Sequence, residues 1–158
     1  MKLYRNCAIM ISVLFLSTFV LNAQSPFSGK WILDHSKSDA EFRDYEITLV
    51  ITQTLKSFTA EQTLTMKNGE KSVMPAVSYN LDGKEVIKEE EGGTSKLSAE
   101  WSTDKKTLTI KFVRTMNGND FGSKTSYNLS DDGRILSIKA TDLNGESPMV
   151  QVYSLKLP

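Results

Sequence analysis

Apolar and polar residues alternate with a period of two through most of this chain. In EITLVITQTL, Ile47, Leu49, Ile51 and Leu55 share one side with Gln53, while Thr48, Thr52 and Thr54 share the other with Val50. KTLTIKFVRTM sets Leu108, Ile110 and Phe112 against Thr107, Thr109 and Lys111. RILSIKATD sets Leu136, Ile138 and Ala140 against Ser137, Lys139 and Thr141, with Ile135 breaking the pattern. Such alternation predicts strands with one dry and one wet face, as in antiparallel sheets. Turn signals separate them: Lys56-Ser57, Asn68-Gly69, Asp82-Gly83, Gly92-Gly93, Asp104-Lys105, Asn117-Gly118, Asp132-Gly133 and Asn144-Gly145. Asn-Gly and Asp-Gly suit the type I′ hairpin turn, which needs positive φ at both central positions. The eight turns cut the chain after residue 45 into nine strand-length pieces. Ahead of them, HSKSDAEFRDY at 35–45 carries Ser38 and Glu41 at capping-box spacing, which predicts one short helix.

The predicted fold is all-β, an up-and-down antiparallel β-barrel of about ten strands with one short helix after the first strand. A meander left flat has two edges that invite pairing with other chains, and closure removes them. A β-sandwich needs long Greek-key crossings, whereas nearly every connection here is a short hairpin.

Residues 1–23, MKLYRNCAIMISVLFLSTFVLNA, stand apart from this pattern. Lys2 and Arg5 form a cationic head, Ala8 to Leu21 an apolar stretch and Leu21-Asn22-Ala23 a small-residue exit. That layout predicts a secretory signal peptide, leaving residues 24–158 as one domain. The apolar stretch is shorter than the roughly 20 residues of a membrane span. The single cysteine, Cys7, lies in the leader, and Ala23 and Gln24 occupy the predicted cleavage site where a lipoprotein needs cysteine. The expectation is therefore a soluble exported protein, periplasmic or secreted, with no membrane anchor after cleavage and no disulfide. The 19 basic residues equal the 19 acidic ones, so no basic patch recommends nucleic acid or an anionic membrane as partner.

At the start of the domain, FSGKW places Gly29 one residue before Trp31. Gly-x-Trp there resembles the opening motif of the lipocalin and fatty-acid-binding superfamily, in which the indole plugs one end of the barrel. The ordered set W-I-L-D-x-S-K-S-D at 31–39, Y-N-L-D-G-K-E at 79–85, G-G at 92–93, S-A-E-W at 98–101, L-T-I at 108–110 and L-S-D-D-G-R-I-L-S-I at 129–138 is similar to exported bacterial lipocalin-like domains. The resemblance implies a barrel that holds a small, largely apolar or amphipathic molecule. It has departures. Where fatty-acid-binding proteins carry Arg-x-Tyr on the last strand for a carboxylate, this chain has Gln151-Val152-Tyr153, which brings no charge.

Candidate ligand-binding residues follow from the phase of the inward rows. Arg114 continues the row of Leu108, Ile110 and Phe112, so its guanidinium falls on the buried face if the strand stays regular, or reaches water if the strand ends there. On that face it would take a carboxylate or phosphate bidentately. Tyr127 shares a phase with Phe121, Ser123, Thr125 and Leu129, and Gln62 with Phe58, Ala60 and Leu64. With Tyr153 and Gln151, these polar groups suit a lumen that orients its ligand, or else bond one another.

No catalytic, cofactor or metal site is expected. One histidine and no domain cysteine leave too few ligands for structural zinc. Glu89-Glu90-Glu91 and Asp131-Asp132 lack calcium-loop spacing. Asp34-His35-Ser36, if on a strand, point to opposite faces. Three readings remain: a carrier with a small apolar ligand; a packed barrel without a lumen ligand, serving as an interaction or assembly module of the cell envelope, with Met66, Met74, Met116 and Met149 as fillers; and an enzyme working inside a barrel, for which no set of acid, base and nucleophile can be named.

Overall fold

The computed structural model describes residues 27–157. The predicted signal peptide, with Cys7, lies outside the described residues. Among the described residues, ten strands form one antiparallel sheet. They are β1 (Gly29–Leu33), β2 (Tyr45–Gln53), β3 (Ser57–Met66), β4 (Lys71–Asn80), β5 (Val86–Glu90), β6 (Gly93–Trp101), β7 (Thr107–Met116), β8 (Asn119–Leu129), β9 (Ile135–Asp142) and β10 (Met149–Leu155). Their order in the sheet is β4-β3-β2-β1-β10-β9-β8-β7-β6-β5. No helix among the described residues is long and apolar enough to cross a membrane.

The chain's first and last strands meet, Trp31 standing opposite Leu155 and Leu33 opposite Tyr153. The barrel is nevertheless not closed, because β4 and β5 end the sheet without pairing. The turn at Asp82-Gly83 forms, with Gly83 at φ 73°, but its two strands do not zip. Three features account for this. The Leu81 N–H donates back to the Lys56 carbonyl at 2.9 Å, which keeps the chain with the β2–β3 turn. β5 is only five residues long and leads into charge. In β4, Pro75 and Ala76 stand together opposite Glu61, a bulge between the pairs Ala60–Val77 and Gln62–Met74. Proline lacks the N–H that a ladder needs and belongs at edges and bulges. The same features blunt the two exposed edges against pairing with other chains.

The expected helix is a single 3-10 turn, Ala40–Phe42, and the capping box is not made. Ser38 and Asp39 serve β10 instead. The Val152 N–H donates to Ser38 Oγ at 2.9 Å, and the Val150 N–H to Asp39 Oδ2 at 2.7 Å. The Asp34 and Asp39 N–H groups reach the Val152 and Val150 carbonyls at 2.7 and 3.0 Å. β1 stops at Leu33 while β10 begins at Met149, so these contacts satisfy backbone groups that β1 is too short to reach. A second correction concerns Leu55, expected on the inward row. It is 89% exposed, because β2 ends at Gln53 and Leu55 falls in the turn that Thr54 ties to Ser57.

One end of the barrel is solidly packed. Phe27, Trp31, Phe58, Leu108, Leu136 and Tyr153 are almost wholly buried. Trp31 lies across that end, its Nε1 donating to the Phe27 carbonyl at 2.9 Å, and the Phe27 N–H donates to Gln53 Oε1 at 3.0 Å. The Phe27 ring stacks on Trp101 with centroids 5.7 Å apart and meets Phe58 and Tyr127 edge-on. A Cβ at Gly29 would come within 2.7 Å of Leu155 Cδ1, so the bare backbone lets the seam close over the indole.

Gly93 and Gly122 flank β7 on either side near its far end. A side chain at either would overlap a β7 carbonyl oxygen, that of Thr115 or of Phe112.

Replacing Trp31 by Ala should lower the unfolding free energy by about 3–5 kcal/mol in urea titration, the usual cost of emptying a large buried aromatic site. Gly122→Ala should also destabilise, although it adds only a methyl group, and hydrogen exchange should show the loosening concentrated in β7 and β8.

Candidate functional site

Away from this floor the inward rows do not fill the space between them. Two cavities open there, of about 260 and 290 Å³, and both include Val77, Tyr79 and Thr125 in their walls. They are adjoining lobes of one lumen. Gln62, Tyr127, Ile138, Gln151 and Tyr153 line the first lobe with Leu49, Ala60 and Met74. Val86, Lys88, Ser95, Leu97, Ile110 and Phe112 line the second.

Register explains the convergence in the first lobe. Gln151 stands opposite Ile138, which stands opposite Tyr127, and Leu49 opposite Gln62. Directly opposed residues in an antiparallel sheet point to the same face, and the apolar members of these pairs are buried. Four of the five residues expected to contact ligand, Tyr127, Tyr153, Gln62 and Gln151, therefore share one wall system. The fifth, Arg114, is in neither wall. β7 does not end there but runs on to Met116. Arg114 is half-buried, opposite Ser95 on one side and Phe121 on the other. Since Ser95 faces the lumen, Arg114 belongs to the same inward row further up the barrel.

The polar groups of the first lobe have a common property. Among the described residues, the side chains of Gln62, Tyr79, Tyr127, Gln151 and Tyr153 make no hydrogen bond to the protein, whereas Gln53, also considered for the lumen row, caps the Phe27 N–H. Tyr153 is 1% exposed and Tyr127 8%. Burial pushes the phenol of Tyr127 well above its ordinary pKa, and the nearby Tyr79 and Tyr153 push it further. Burial likewise raises Tyr153 and Tyr79. All three hydroxyls are thus neutral at physiological pH.

Sequence phase missed Lys88, Ser95 and Val77. The bulge at Pro75 interrupts the period of two in β4, and β5 reads in the sequence as a charge run. That Lys88 stands two positions from Val86, and so on the same face, was the available signal. Asp34, His35 and Ser36 lie beyond β1 in a tight turn: Asp34 Oδ1 accepts from the Ser36 N–H and hydroxyl at 3.0 and 2.6 Å. With Lys37 3.0 Å away, these bonds lower the Asp34 carboxyl to about 2. His35 is exposed and bonds neither neighbour. No three His, Cys, Asp or Glu side chains among the described residues are grouped to hold a metal.

The ten-strand antiparallel sheet, its first and last strands paired and one end plugged by the Gly29-x-Trp31 indole, resembles in fold a barrel of the lipocalin and fatty-acid-binding kind left open between β4 and β5. Among solved structures, the chain is similar to secretory abundant heat soluble protein 4 from Ramazzottius varieornatus, with a TM-score of 0.53 at 14% identity, covering 84% of this chain and 96% of that one. A second secretory abundant heat soluble protein from the same animal superposes with a TM-score of 0.49 at 11% identity, covering 84% of this chain and 96% of that one. The fatty-acid-binding protein of Manduca sexta follows with 0.45 at 14%, covering 81% and 98%. Only the first superposition is close enough to bear on the fold, and none bears on ligand. No protein-family model and no curated protein matches the sequence.

The raised tyrosines link pH to stability. A phenol whose folded pKa lies above its unfolded value of about 10 favours the folded state while neutral, and it opposes folding progressively as pH rises through 10. Alkaline titration followed by phenolate absorbance should therefore show a class of tyrosines that ionises only as the barrel unfolds. Tyr127→Phe and Tyr153→Phe should each shrink that class.

Proposed function

We propose that the chain is an exported carrier that holds one small, largely apolar molecule in the lumen, oriented by Tyr127, Tyr153, Gln62 and Gln151, with Arg114 nearer the mouth. One observation carries the reading. Side chains on inward rows that a packed barrel would bury remain in contact with solvent, among them Val77 at 45%, Phe112 at 40% and Phe121 at 59% exposure. Val77 and Phe112 share the wall of the second lobe, and apolar surface left wet in this way marks a binding site. Covering it stabilises a complex by about 25 cal/mol per Å² of apolar area removed from water. Each lobe is near the lower end of the roughly 300–1,000 Å³ of ligand pockets, and together they suit a ligand longer than it is wide.

The packed-module reading gains no support, because Met66, Met74 and Met149, proposed as fillers, are themselves exposed. The carrier reading uses no cofactor and no bond-breaking step. Export rests on the leader at residues 1–23, and a site inside a soluble barrel suits a molecule that must cross an aqueous compartment.

Protein prepared without detergent should bind Nile red with a rise in fluorescence, and organic extracts should yield a reproducible small molecule also seen as an adduct in native mass spectrometry. Ala140→Trp, which fills the first lobe, should abolish both signals while leaving the circular dichroism of the barrel. An adduct-free mass with no dye binding would sink the proposal. Expression with the intact leader in a Gram-negative host should give a periplasmic product whose N-terminus is Gln24.

A further inference from the structure

The carrier reading leaves the head of the ligand undefined, and the distribution of charge along the lumen narrows it. We propose that the lumen selects a neutral amphiphile, an apolar body bearing a carbonyl, amide or hydroxyl, whose head lies against Tyr79, Tyr127 and Tyr153, and that it discriminates against the carboxylate of the same body. The inference rests on the carrier reading and adds to it both an orientation and a selectivity.

Two observations support the orientation. The three phenols and the two amides of Gln62 and Gln151 border the first lobe without hydrogen bonds to the protein among the described residues. An apolar tail placed there would cover the hydroxyls of Tyr127 and Tyr153, which border the lumen, without giving them a partner, whereas a polar head satisfies them. Conversely, the mouth rows carry the exposed apolar side chains Phe112 and Phe121, which suit a tail.

Two more support the selectivity. No Lys, Arg or His lines the first lobe. The lumen's cations, Lys88 and Arg114, sit on one cross-strand row with Ser95 between them. Arg114 is six positions along β7 from Leu108, the residue opposite Tyr127, or about 20 Å at strand rise. A carboxylate held by Tyr127 and Tyr153 would be buried in a lobe with no cation in its wall, Lys88 lying beside Tyr79 in the wall of the second lobe instead, which is costly. Deprotonated tyrosines are also out of reach, since burial holds the phenols neutral. Neutral phenols donate to a carbonyl oxygen and either donate to or accept from a hydroxyl. Gln62 and Gln151 add donors and acceptors of both kinds.

The test is displacement of Nile red at neutral pH by decanol, decanamide and decanoate, which share a body and differ in head. The alcohol and amide should displace the dye at concentrations about tenfold lower than decanoate. Tyr127→Phe and Tyr153→Phe should each weaken the neutral ligands by up to about tenfold, the loss of one buried hydrogen bond, while leaving decanoate and the dye nearly unchanged. Decanoate displacing best, with that preference lost in Arg114→Leu or Lys88→Leu, would place an acid head at the other end and overturn the proposal. Equal displacement by all three would overturn it too, though the carrier reading would survive. If Nile red fails to bind the wild-type protein, the carrier reading itself falls and this one with it.

Discussion

The structure depends on the pairing of β1 with β10. Three residue pairs join a strand at the start of the domain to the last strand of the chain. Between them run two meanders, β1–β4 and β5–β10, whose edge strands β4 and β5 are linked by the short segment 81–85. Once Trp31 stands opposite Leu155, the sheet must curl, and its inward rows face one another across a space. Gly29 lets the strands approach, and the indole that the approach buries donates to Phe27, which in turn stacks on Trp101 from β6. The seam and the floor are therefore one device.

That device divides the interior into two zones with different physics. Around Phe27 and Phe58, the rings of these two residues, Trp101 and Tyr127 meet at 5.0–6.3 Å, so this zone supplies stability. Tyr127 and Tyr153 belong to both zones. Their rings pack in the core cluster while their hydroxyls border the lumen. The rigid zone thus fixes polar groups at the base of the open one. On the carrier proposal, a ligand meeting them there would find donors whose orientation was settled when the protein folded, and less ordering cost would fall on binding.

Much of this was legible in the sequence. The turn dipeptides and the period of two gave the strands after residue 45, and Gly29-x-Trp31 gave the plugged end. Gln62, Tyr127, Gln151 and Tyr153 came together because their strands keep regular phase through the registers that join them. Reading failed where a local signal had a competing use. Ser38 and Glu41 spell a capping box, yet the unpaired backbone of β10 takes Ser38 first, together with Asp39. Asp82-Gly83 spells a hairpin, but a turn dipeptide specifies a reversal and not the pairing of the strands that flank it. The bulge at Pro75 hid the phase of β4, and with it the wall that Val77 adds to both lobes.

The unjoined margin between β4 and β5 has a mechanical consequence. In a fully closed barrel, strand number and shear fix the diameter. Here the circumference is interrupted, and β4 and β5 share no ladder that must break before they move apart. The girth of the lumen is then set by bending of the sheet, as in a split ring, whereas its floor is held to one size by packed rings. On the carrier proposal, guests of differing width would be accommodated at the slit side without disturbing the end that gives the molecule its shape.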